Sequence, residues 1–208
     1  MIMMAGFENS TAKSNALNHL SLLWLRPQKD EWDELVSHAS INELVDQLKL
    51  GFGIDVDAQE LLDLAPAFDE AYTFNTQVLS MNFAKKSAAP IESIYKIWTI
   101  DPNCNLQNAR QKGFVMGDPA YHMKDLMKSL EISLPEDFIE MPDHLSVILS
   151  LASVFLEAGN FEAYKTFVTD HLDWMEDYQK RLENLDTHGF YLALLAIVQN
   201  IYKSEIAR

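Results

Sequence analysis

The sequence predicts an all-α protein, on three observations. Apolar residues recur at i, i+3, i+4 and i+7 spacing along most of the chain. Glycine and proline are scarce, 7 each in 208 residues, too few for a turn-rich β fold. Period-two alternation is convincing nowhere, and IYKIWTI, residues 94–100, is the one candidate strand. At 48% apolar residues the chain reads as a single domain, 1–208, with a sizeable core.

In chain order, Leu17, Leu20, Trp24 and Leu25 share one helical face, and Pro27 ends the pattern. A second helix is predicted over 30–48, burying Trp32, Leu35, Val36, Leu44, Val45 and Leu48. GFGIDVD, 51–57, is a turn, and a helix over 59–82 follows, broken by Pro66. KKSAAP (85–90) and TIDPNCN (99–105) read as loops. GFVMGDP (113–119) leads into a helix through Tyr121, Leu126 and Leu130, with Asp118 as its cap and Pro119 at its first position. LPEDFIEMP, 134–142, reads as a hinge between an N-terminal lobe (1–133) and a C-terminal lobe (143–208). Three helices are predicted beyond it, over 144–158, 161–185 and 188–206. The first is apolar nearly all round, as a central buried helix is. The last carries Phe190, Tyr191, Leu194, Leu195, Val198 and Tyr202 on a broad stripe. There is no internal repeat of fixed period.

Charge and cysteine content narrow the function classes. A formal charge of −15 is wrong for a nucleic-acid binder, which needs a basic stripe to neutralise phosphates. An acidic surface instead attracts basic segments. The single cysteine, Cys104, forms no internal disulfide and fits a reducing compartment. The first residues lack the basic n-region of a secretory signal. The apolar run at 145–156 is interrupted by three serines. It is also shorter than the roughly 18–20 residues a membrane span needs. A cytoplasmic location without stable membrane insertion is expected.

Glu140, Asp143 and His144 crowd around Pro142, inviting a chemical reading. The Asp143–His144 and Asp170–His171 pairs, with His122, would suit a metal-dependent hydrolase. The spacing is wrong, because no H-E-x-x-H is present and adjacent helical residues point about 100° apart. Cys104 has no histidine near it in sequence, no G-x-S-x-G elbow occurs, and GFVMGD lacks the phosphate-loop lysine. No catalytic residue, metal ligand or cofactor is expected. Asp143 reads as the N-cap of the next helix, worth about 1 kcal/mol, with His144 at the lobe boundary. Trp174 and Tyr191 read as core.

Four segments in order carry a family resemblance: PIESIY (90–95), GFVMGDPAYHMKDLM (113–127), EMPDHLS (140–146), and HLDWMEDYQKRL (171–182) with FYLALLAIV (190–198). Together they resemble the TorD/DmsD/NarJ-type redox-enzyme maturation proteins, cytoplasmic chaperones of molybdoenzymes. The resemblance implies a TorD-like all-helical bundle that is not an enzyme. It would bind the twin-arginine signal peptide or the apo form of a molybdopterin oxidoreductase until its cofactor is inserted. The implied peptide site comprises Glu140, Pro142, Asp143 and His144 with Glu92, Ser93, Tyr95, Trp98, Gly117 and Asp118. The resemblance leaves open guanine-nucleotide or molybdenum-cofactor binding, and a monomer or a domain-swapped dimer. A helical adaptor with another client is the alternative.

Overall fold

A computed structural model describes residues 2–81, 87–186 and 188–207. Its α-helices are α1 (Ile2–Leu23), α2 (Lys29–Leu35), α3 (His38–Phe52), α4 (Ala58–Leu64), α5 (Phe68–Phe74), α6 (Glu92–Tyr95), α7 (Asp118–Ser129), α8 (Leu145–Glu157), α9 (Phe161–His171), α10 (Met175–Leu182) and α11 (Phe190–Ile206). A π turn, Asn75–Leu79, extends α5, and a 3-10 turn, Glu136–Phe138, precedes α8. Among the described residues the only β pairing is an isolated bridge between Ile91 and His144. The all-α expectation holds, and 94–100 is helical turn and irregular chain rather than strand.

The apolar pattern of α8 decides where the core sits. Ten of its 13 residues are buried, so it takes the middle of the bundle, with α1 and α9 packed on it. Its three serines do not interrupt the helix, because Ser153 turns its hydroxyl back to the main-chain oxygen of Ser150 at 2.7 Å. Trp24 lies between Tyr178 of α10 and Tyr191 of α11, with ring centroids 5.9 and 5.5 Å away. One contiguous cluster of buried side chains draws on both sides of residues 134–142.

Several predicted helices divide. The span 30–48 breaks at Ser37, whose hydroxyl caps α3 by accepting from Ser40 N at 3.2 Å. Of its predicted core, Trp32, Leu44 and Leu48 are buried, while Leu35, Val36 and Val45 are half-buried against them. The span 59–82 breaks around Pro66 as read, and Asp57 caps α4. Asn82, like Lys85 and Lys86 of the predicted loop, lies outside the described residues. The span 161–185 becomes α9 and α10, because the indole Nε1 of Trp174 donates to the main-chain oxygen of His171 at 2.7 Å and ends α9 there. In α7 Gly117, not Asp118, is the N-cap. The buried face is accordingly Ala120, Met123 and Met127, while Tyr121 and Leu130 are exposed.

One buried ion pair joins the ends of the fold. Lys13 of α1 meets Glu205 of α11 at 2.5 Å, both nearly inaccessible. The ammonium also lies over the rings of Phe52 and Tyr164, at 5.1 and 5.6 Å from their centres. Gly51 permits this approach of α3 to α1, since a Cβ there would stand 2.8 Å from the Lys13 main-chain nitrogen. Truncating one partner of a buried pair leaves the other charge uncompensated. Lys13→Ala is therefore expected to lose about 3–5 kcal/mol in urea unfolding. Lys13→Met combined with Glu205→Leu should recover most of that loss.

Candidate functional site

The short helix α6 is the meeting point of the four segments that the sequence singles out. Its four residues include three that are buried, Glu92, Ser93 and Tyr95. Ser93 is held from the α8 side: its main-chain N–H and its hydroxyl donate to Asp143 Oδ2, at 2.7 and 2.5 Å. The Ser93 hydroxyl in turn accepts from Gly117 N at 3.2 Å. Two main-chain bonds complete the seam, Glu92 N to Asp143 O at 3.1 Å and Leu145 N to Pro90 O at 2.8 Å. Gly117 has no room for a side chain, because a Cβ would fall 2.6 Å from the Trp98 main-chain oxygen.

Glu92 is held from the α9 side. Its Oε2 accepts from His171 Nδ1 at 2.6 Å, and its Oε1 faces the Lys96 ammonium at 2.9 Å. A carboxylate only accepts, so the Nδ1 hydrogen belongs to His171. His171 Nε2 lies 2.9 Å from His122 Nδ1 of α7, with the two rings stacked. Burial first, and then the neighbouring His171, hold His122 below the ordinary histidine value. Lys96 also reaches Asp173 at 2.7 Å and the Asp170 main-chain oxygen at 2.6 Å. Burial works against its charge, but Glu92 and Asp173 outweigh this and hold the Lys96 pKa above its usual value. Tyr95 stacks on Trp174 at 5.3 Å and donates its hydroxyl to Ala89 O.

This hub floors a cavity of about 520 Å³. Apolar walls come from Tyr95, Ile97, Ile100, Pro119 and Trp174, and acidic groups from Glu92, Asp118, Asp170, Asp173 and Asp177. A second cavity of about 520 Å³ shares His122 and Asp170 with it and is otherwise lined mainly by Leu126, Leu130, Phe155 and Phe167. The two form an acidic-then-apolar surface across α7 and α9.

The residues predicted as one site thus divide. Glu92, Tyr95 and Asp118 line the first cavity; Ser93, Gly117 and Asp143 are brought together behind it. Asp143 does not cap α8. His144 does, its Nδ1 accepting from Ser146 N at 3.2 Å. His144 is itself buried, against Phe138. Pro142 is buried, Trp98 is half-buried with its Nε1 donating to Val115 O, and Glu140 is exposed and lines neither cavity. Asp118 accepts from Ile100 N at 2.8 Å instead of capping α7. Trp174 and Tyr191 are buried, as read, although Trp174 also shows a face to the cavity. Lys96, Asp173 and Asp177 are among the lining residues that sequence reasoning missed as a site, and Asp170 was weighed only as a metal ligand. The spacing of Glu92 and Lys96, four apart at the start of a helical turn, was the available signal. Among the described residues no three His, Cys, Asp or Glu side chains are placed to hold a metal together. No helix among them is long and apolar enough to cross a membrane.

Comparison with known proteins decides the family. The model of the nitrate reductase delta subunit family matches residues 31–188, which takes in α6, α7, α8, α9 and α10. The chain belongs to this family. Among curated relatives it is similar to the chaperone protein TorD of Shewanella loihica, 28% identical over 65% of this chain and 63% of that one. It is also similar to the chaperone protein TorD of Shewanella pealeana, 24% identical over 84% of this chain and 73% of that one. The chain spans less than two thirds of the Shewanella loihica protein. The redox-enzyme maturation family expected from the four segments is the one found. In this member of the delta subunit family, those segments converge on α6.

Two predictions test the assignments. Asp143→Asn keeps an oxygen for both Ser93 donors, so stability should stay within about 1 kcal/mol of wild type, whereas Asp143→Ala strands them and should lose about 2–3 kcal/mol in chemical unfolding. The second concerns pH. Burial lowers His144 from 6.5 to about 4, so the unfolded chain takes up this proton before the folded one. Stability is therefore complete above about 6.5 and falls as pH drops toward 4, by about 3 kcal/mol in all. Asp143, raised by burial despite its Ser93 bonds, works with the opposite sign. His144→Asn retains a capping oxygen without titrating, and its stability curve between pH 6.5 and 4 should be flatter than wild type.

Proposed function

We propose that the protein is a cytoplasmic chaperone for the catalytic subunit of a molybdenum oxidoreductase. It holds a basic and apolar segment of that client while the enzyme is unfinished. The twin-arginine signal peptide is the segment the family resemblance implies. One observation carries the reading: a cavity rich in carboxylates beside a more apolar one, with His122 and Asp170 lining both. Two arginines followed by an apolar run have the same order of chemistry. Membership of the family and the similarity to proteins named chaperone TorD support the class of function.

Magnitudes divide the labour. An exposed ion pair contributes only about 0–1 kcal/mol. A buried apolar side chain contributes about 1.5–3 kcal/mol. Ile97, Ile100 and the Leu126–Leu130 wall would therefore supply most of the affinity, and the carboxylates the approach and the orientation. Asp143, Ser93, Gly117 and His144 act here as positioning residues, holding α6 so that Glu92 and Tyr95 face the cavity. Holding a peptide requires no chemical step of the protein.

The test is binding of a labelled twin-arginine peptide measured by fluorescence anisotropy. Ile100, 76% exposed on the rim, can be changed without disturbing the core. Ile100→Ser should weaken binding about five- to tenfold, in line with the loss of one partly buried apolar side chain. Raising salt from about 0.05 to 0.5 M should slow association several-fold through screening. Affinity indifferent to Ile100→Ser would place the peptide elsewhere.

A further inference from the structure

The most unusual group on the cavity floor is not a free acid but an occupied one. Three acceptors converge on the Lys96 ammonium: Glu92 Oε1 at 2.9 Å, Asp173 Oδ1 at 2.7 Å and the Asp170 main-chain oxygen at 2.6 Å. Two of the acceptors are fixed. Glu92 is fully buried in the α6 hub, and the Asp170 oxygen belongs to the last turn of α9. The cation is different, being carried on a flexible four-carbon stem and about a quarter exposed, with its side chain lining the cavity. Glu92 Oε1 is buried and lies at ion-pair distance from the ammonium.

Resting on the reading of this cavity as the client site, we propose that the three acceptors form a binding subsite for a client arginine. Lys96 fills that subsite in the free protein and leaves as the client's guanidinium arrives. Exchange of one cation for another keeps the buried Glu92 carboxylate neutralised throughout, so the client never meets the penalty of a bare buried charge. A guanidinium offers a planar fork of five N–H donors, against three on an ammonium. It can bridge Glu92 and Asp173 with paired N–H donors, which a single ammonium cannot match in geometry. The released ammonium has an exposed carboxylate at the same cavity, Asp118, to which it can turn. Lys96 is thus an internal competitor that sets a threshold. A segment bringing one weak cation leaves it in place, and a segment bringing a well-placed arginine displaces it.

The prediction is that changes at Lys96 move affinity in opposite directions. Lys96→Met keeps the apolar stem and removes the competitor, and should bind a twin-arginine peptide about tenfold more tightly. Lys96→Arg installs a better competitor, keeps Glu92 paired, and should bind about fivefold more weakly. A control peptide with glutamine in place of both arginines should be affected by neither change. L-Argininamide, which carries the guanidinium without the apolar run, should bind wild type at least a hundredfold more weakly than the peptide. Equal binding of argininamide would show a small-molecule site and overturn the assignment to a client segment. The outcomes separate the two levels of inference. Peptide binding that ignores Ile100→Ser overturns the cavity reading, and the displacement with it. Binding that responds to Ile100→Ser, but is neither tightened by Lys96→Met nor weakened by Lys96→Arg, overturns the displacement alone.

Discussion

The contact between the Asp143 carboxylate and Ser93 is the constraint on which the functional surface rests. A helix of four residues closes too few hydrogen bonds to hold itself together. α6 persists because it is bonded from outside: Asp143 takes two of its donors, Pro90 and Asp143 exchange main-chain bonds with Leu145 and Glu92, and Gly117 bonds to Ser93. With Ser93 fixed, its neighbours on the turn have no freedom left. Glu92 must face His171 and Lys96, and Tyr95 must stack on Trp174. The floor of the cavity is thus specified by a residue that never reaches it.

The electrostatics follow from the same geometry. A carboxylate as deeply buried as Glu92 is tolerable only with its charge answered on both oxygens, and His171 and Lys96 answer it. The answering groups come from different places, one from the end of α9 and the other from just beyond α6. Lys96 then ties that junction to Asp173, in the break between α9 and α10. This break exists because the Trp174 indole captures the last carbonyl of α9. A single aromatic residue therefore both ends a helix and walls the cavity.

What could be read from the sequence, and what could not, divides along physical lines. Long periodic helices such as α8 and α11 declare themselves, because burial of one face needs nothing but the chain's own spacing. Breaks at Ser37 and at Trp174 do not, since each depends on where a side chain finds a backbone partner. The Asp118 misreading has the same root: as a cap it looked ideal, but Ile100 N claims its carboxylate, so Gly117 becomes the cap and the buried face of α7 turns. Asp143 does not serve as the cap its position suggests. Its partner lies 50 residues away, a distance that local pattern cannot bridge. The four family segments showed which residues gather, but not that Asp143 and His144 would stand behind the surface and Lys96 and Asp173 upon it.

The buried pair of Lys13 and Glu205 gives the fold a direction in time. The two residues lie 192 positions apart, so the first helix carries a cation that has no buried neutraliser until nearly the whole of this sequence has been synthesised. The last helix therefore acts as a latch on the first, set apart from the surface proposed to hold an unfinished client.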